Sequence, residues 1–186
     1  MENNRDFLHL IRFNGEEQYP VIRATWSIYK DNELKKNNMC ILVEASEGII
    51  LNEDTKDLKV SPRWELNYIA DKINKDSLKP GFRATIPEGY VEAQDGYITS
   101  FYYNEDQETN KNTIEIIAVD DDRLRLRLTG EGVDINDYDN SKPPSKITVE
   151  TWFEYDEDTT RYNEDNSAGG VFESIVGGIL DGVLNP

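Results

Sequence analysis

Between Pro20 and Lys30 the chain reads Pro20-VIRATWSIY-Lys30, with an apolar residue at every second position. Ile22, Ala24, Trp26 and Ile28 face one way and Arg23, Thr25 and Ser27 the other, the pattern of a strand with one buried face. The same alternation returns over 6–13, 39–45, 64–70, 82–86, 96–103, 113–119, 123–129 and 146–155. Turn-rich clusters punctuate these runs: Asn14-Gly15, Lys30-DNELKKNN-Met39, Lys79-Pro80-Gly81 and Asn104-EDQETNKN-Thr113. Short strands separated in this way predict an all-β fold over residues 1–155, mainly an antiparallel β-sandwich or barrel. The stretch 64–74 also fits a helix, because Leu66, Ile69 and Ile73 share that period. Apolar residues make up only 37% of the chain, yet long alternating segments in a chain with ten Tyr and three Trp point to a packed core.

One hairpin register can be read directly. Thr113-IEIIAV and Arg123-LRLRL flank Asp120-Asp121-Asp122. A two-residue loop opposes Ala118 to Arg125 and Ile116 to Arg127, mixing apolar and charged residues on each face. A three-residue loop opposes Ala118 to Leu124, Ile116 to Leu126, Ile114 to Leu128 and Glu115 to Arg127. A one-residue slip moves every side chain to the other face, so the three-residue register is expected.

The end of the chain differs. An acidic run, Glu154-YDEDTTRYNED-Asn166, leads into Gly169-GVFESIVGGILDGVLN-Pro186. Residues 156–168 read as an acidic linker and 169–186 as an amphipathic C-terminal helix. Its apolar stripe is Val171, Phe172, Ile175, Val176, Ile179, Leu180, Val183 and Leu184. Ser174, Gly178 and Gly182 lie opposite. Interior glycines disfavour a helix by about 1 kcal/mol each, so this segment gains order by docking, either on its own β-domain or on another molecule. The stripe is the candidate partner-binding element.

Charge narrows the function classes. The chain carries 37 Asp and Glu against 20 Lys and Arg, for a net charge of −17. Such a field repels phosphate backbones and anionic membranes and attracts basic proteins and cations. Nucleic acid is therefore not an expected partner, and membrane attachment is disfavoured because the polar face of the tail is acidic. The start, Met1-ENNRDFLHLIRFNGEE, contains no uninterrupted apolar stretch of the signal-peptide type, and cytoplasmic residence is the expectation.

Candidate chemistry is sparse. There is one Cys, Cys40, and one His, His9, so a nucleophilic dyad requires those two together. Arg123, Arg125 and Arg127 form a basic ladder, a candidate anion-binding feature whose alternative reading is cross-strand pairing with Glu115, Glu150 and Glu154. Asp134, Asn136, Asp137 and Asp139 crowd one loop with oxygens of the kind Ca²⁺ prefers, although the EF-hand pattern is broken. Asx turns account for the same letters. The aromatics Tyr90, Tyr97, Phe101, Tyr102 and Tyr103 are read either as a groove or as core and edge cover.

These features together predict a non-catalytic acidic binding protein of the inhibitor or immunity type, engaging a basic protein partner and using no cofactor. Two alternatives accompany it. One is a structural subunit that self-associates through the C-terminal helix, and the other is a Ca²⁺-dependent carbohydrate- or surface-binding module.

Overall fold

Residues 6–31, 36–92, 96–133 and 141–157 are described by a computed structural model. The alternating segments all become strands: β1 (Phe7–Arg12), β2 (Gly15–Asp31), β3 (Lys36–Ala45), β4 (Arg63–Ala70), β5 (Arg83–Ile86), β6 (Tyr90–Val91), β7 (Gly96–Tyr97), β8 (Thr99–Tyr102), β9 (Asp106–Asp120), β10 (Arg123–Gly132) and β11 (Ser145–Tyr155). The fold is mostly antiparallel β-sheet, and among the described residues there is no α-helix. The C-terminal segment 169–186 lies outside the described residues, as does the linker beyond residue 157. Among the described residues no helix is long and apolar enough to cross a membrane.

Nine strands form one sheet in the order β10-β11-β1-β2-β3-β4-β8-β9-β5, and a further pairing of β9 with β10 brings the sheet back on itself. The ring depends on two long strands. The first part of β2 pairs with β1 and the second with β3. The first part of β9 pairs with β8, its middle with β5, and nearly its whole opposite edge with β10. Past the start of β1, β11 reaches β2 directly in a short parallel pairing, Glu154 to Thr25 and Tyr155 to Trp26.

Inward positions supply the core. On one side Leu8, Val149, Leu128, Ile114 and Ala84 share a cross-strand row, and on the other Ala24, Val43, Trp64 and Phe101 do. Nearly all of these are under a tenth exposed. A fully buried Leu or Phe contributes about 1.5–3 kcal/mol relative to an exposed one, so these rows dominate the stability of the fold.

Three local expectations are corrected. The stretch 64–74 is not helical: β4 ends at Ala70, and only a 3-10 turn over Lys75–Ser77 follows, capped by Asn74. The polar cluster 104–113 is not all loop, because β9 begins at Asp106. Its inward side chains, Gln107, Thr109 and Asn112, are polar but buried. The Trp64 indole N–H donates to the Thr109 hydroxyl (3.2 Å), which donates to Thr99 (3.0 Å), while the Asn112 amide donates to the Thr109 carbonyl (2.7 Å). At Thr109 and Asn112, hydrogen bonding inside the sheet thus replaces the apolar lettering that marks a strand.

The β9–β10 hairpin combines both registers considered above. Its turn has two residues, Asp121 and Asp122, with Asp121 in the left-handed region at φ 52°. Ala118 accordingly opposes Arg125, and Leu124 opposes Val119. A bulge at Ile117 then adds one residue, and from there Ile116 meets Leu126, Glu115 meets Arg127 and Ile114 meets Leu128 as expected. The bulge reconciles a tight turn with a continuous apolar face.

Candidate functional site: two outer faces of unlike charge

The outer face of β5, β9, β10, β11 and β1 is a lattice of matched charges. Arg83, Glu115, Arg127 and Glu150 stand in one row across four strands. The Arg83 guanidinium donates to Glu115 at 2.6 Å, Arg127 to Glu115 at 3.2 Å and to Glu150 at 2.8 Å, and Arg125 to Glu150 at 2.9 Å. Arg123 pairs with Asp120 and lies over the Trp152 ring, 5.2 Å from its centre. Hydrogen bonding from Arg83, aided by the charges of Arg83 and Arg127, holds the Glu115 carboxyl below the usual carboxylate range. Hydrogen bonding to Glu150 holds the Arg127 guanidinium above its ordinary value. The ladder Arg123, Arg125 and Arg127 thus has a carboxylate already in place on each cation.

Beside this row, His9, Thr148, Thr129 and Thr113 form another, with the Thr113 and Thr129 hydroxyls 2.6 Å apart. A groove of about 420 Å³ runs along it, lined by His9, Arg127, Thr129, Thr148 and Glu150 among others. His9 is not a core residue. Leu8, Leu10 and Arg12 take the inward positions of β1, and the His9 imidazole Nδ1 lies 2.6 Å from Glu16 at the surface. Cys40 is buried on β3, and β2 separates that strand from β1, so the fold does not bring Cys40 and His9 together.

The outer face of β2, β3, β4, β8 and β9 has a different character. Its rows are Arg23, Glu44, Arg63, Tyr102, Asp106 and then Thr25, Leu42, Glu65, Ser100, Glu108. The ion pairs are long: Arg23 to Glu44 is 3.5 Å and Arg63 to Asp106 is 3.8 Å. Arg23 is shared with Asp156 at 3.1 Å. Among the described residues Glu65 accepts from the Asn67 amide and neither Glu65 nor Glu108 has a Lys or Arg partner. This face therefore retains net negative charge, whereas the ladder face neutralises itself.

The acidic face also carries apolar residues in the open. Ile22 is 67% exposed and Tyr102 41%. The sequence pattern puts Ile22 inward with Ala24 and Trp26, and the structure overturns this. Val21 pairs with Ala45 and Arg23 with Glu44, leaving Ile22 as the extra residue of a β-bulge. Glu17, Tyr19 and Val21 point inward before the bulge, and Ala24, Trp26 and Ile28 after it. The signal in the sequence is Tyr19-Pro-Val-Ile22, an unbroken apolar run that strict alternation cannot accommodate, with a proline that marks an irregular strand. Ile22, Ala45, Pro62 and Tyr102, rimmed by Glu44 and Asp106, line a groove of about 410 Å³.

At the interior end of β1 and β2 the core contains a charged cluster that sequence reading missed, because Arg12 and Glu17 look like surface residues of a hairpin. Glu17 is fully buried. One of its oxygens accepts from Arg12 (3.2 Å) and Thr55 (2.9 Å), and the other from the phenols of Tyr19 (2.8 Å) and Tyr103 (3.0 Å). Burial, above all, pushes the Tyr103 phenol up to about 12 and Tyr19 higher still, so both remain neutral donors. Every lone pair direction of the carboxylate is used internally. The cluster fixes the segment around Thr55 onto the ring and has no opening for a ligand.

The aromatic group divides: Phe101 and Tyr103 are core, while Tyr97 and Tyr102 are exposed, with Tyr90 stacked edge-on against Tyr97 at 5.5 Å. The oxygen-rich loop with Asp134, Asn136, Asp137 and Asp139 lies outside the described residues, as does the stripe from Val171 to Leu184. Among the described residues no group of three or more His, Cys, Asp and Glu side chains is arranged to hold a metal ion. No family model, curated protein or solved structure matches this chain.

Proposed function

We propose that this chain is a non-catalytic binding protein, of the inhibitor or immunity type, that engages a basic protein partner through the outer face of β2, β3, β4, β8 and β9. The observation that carries this reading is the contrast between the two faces. On this face two carboxylates without a Lys or Arg partner among the described residues, Glu65 and Glu108, stand in the row beside the exposed Tyr102. The carboxylates Glu115 and Glu150 of the other face are paired. Interfaces combine such an apolar centre with a charged surround, and the surround sets association rate and partner choice. The net charge of −17 adds long-range attraction for a basic protein.

The test is a titration of the isotope-labelled protein with a lysine decamer, followed by amide chemical shifts. Shifts are expected to cluster at Glu44, Glu65, Tyr102 and Glu108 and to vanish at about 0.5 M salt, where the screening length falls to a few ångströms. Equal shifts on β10 and β11, or salt-independent binding, count against the proposal.

A further inference from the structure

We infer that the groove at the Ile22 bulge takes one apolar side chain from a partner segment in which that side chain is flanked by lysine or arginine. The inference rests on the basic-partner reading and names the contact point within it. A bulge re-aims a side chain, and here it turns an isoleucine out of the core into solvent, beside Tyr102 and over a floor of Ala45 and Pro62. The groove, about 410 Å³, is in the range that holds a small ligand or one or two side chains. Glu44 and Asp106 stand at its rim, each with its arginine at long range, 3.5 and 3.8 Å. A cation from a partner completes those pairs at little cost, whereas a phosphate or carboxylate ligand meets two lining carboxylates, Glu44 and Asp106, against one lining arginine, Arg63. An apolar anchor in a partly dry pocket with charged flanks is also the usual anatomy of a binding hot spot.

The experiment uses the full chain and two acetylated, amidated pentapeptides, Lys-Lys-Leu-Lys-Lys and Lys-Lys-Ser-Lys-Lys, with binding read from amide shifts. The leucine peptide is expected to bind about tenfold more tightly than the serine peptide, with the excess shifts at Ile22, Ala45 and Tyr102. Ile22→Ser, at an exposed position that the core does not use, is expected to erase the difference while leaving the serine peptide unaffected. Equal binding of both peptides to the acidic face overturns the anchor and leaves the basic-partner reading intact. Absence of shifts on that face with either peptide overturns both. Two outcomes in the isolated protein also overturn the anchor by giving the groove another occupant. A shift of the Ile22 amide caused by Ile179→Asp identifies the chain's own C-terminal segment, and a dependence of that amide on protein concentration identifies a second copy.

Discussion

Glu17→Ala is expected to lower the stability of this protein by about 3–5 kcal/mol, the range for removing one partner of a buried ion pair. Glu17 is fully buried, and the Arg12 side chain is 1% exposed. Without the carboxylate, Arg12 loses its buried ion pair at 3.2 Å, and the hydroxyls of Thr55, Tyr19 and Tyr103 lose a charged acceptor. The pair itself need not contribute that much, because desolvation offsets most of its attraction. The double variant Arg12→Met with Glu17→Leu should therefore cost less than Glu17→Ala alone, and that difference separates the broken charge pair from lost packing. Urea unfolding checks both, through a lower midpoint at unchanged slope. A Glu17→Ala loss under about 1 kcal/mol would show that the cluster relaxes and admits water, contrary to the geometry described.

Gly89→Ala is expected to cost about 3 kcal/mol, at the upper end of overpacking penalties. A methyl group there runs into the backbone carbonyl of Thr109 and the Thr99 hydroxyl, both of which belong to the buried network with Asn112 and Trp64. Gly89 is itself held on both sides, donating to the Asn110 side chain at 2.9 Å and accepting from the Ile98 amide at 2.7 Å. The backbone therefore cannot step away without breaking those bonds. Gly81→Ala provides the contrast. Gly81 has φ +89° and nothing within 4 Å of the added carbon, so its cost is purely conformational, about 1 kcal/mol. Thermal unfolding of both variants should rank Gly89→Ala well below Gly81→Ala, and the reverse order would remove close packing as the reason for glycine at position 89.

The sequence was most informative where burial follows apolar lettering. Strands β1, β10 and β11 alternate cleanly because each has one face on the core and one toward water, and the Glu115–Arg127 pairing follows from keeping leucines and isoleucines on one side. Legibility failed where the interior is polar or the register shifts. Thr109 and Asn112 read as loop because the side chains that bond them in the interior, Trp64 and Thr99, are distant in sequence. Bulges at Ile22 and Ile117 change which face a side chain occupies, and a strictly alternating pattern has no means of placing such a change. The candidate site suffered most from this. Ile22 reads as a core residue by alternation, and the carboxylates around it are distinguished from the many others only by which arginines the strand order places beside them. The arginine ladder stands out by its spacing, and its cations are occupied by Glu115 and Glu150, both legible in the sequence as cross-strand partners, and by Asp120.

On the proposed reading, local charge on one face, rather than net charge, selects the partner. Two double reversals change the net charge by the same amount: Glu65→Lys with Glu108→Lys on the acidic face, and Asp120→Lys with Glu131→Lys on the ladder face. Calorimetric titration with the lysine decamer at low salt is expected to show affinity falling at least tenfold for the first pair and about twofold or less for the second. Equal losses from the two pairs would contradict the account, because the acidic face would then be no more than a share of the whole molecule's charge.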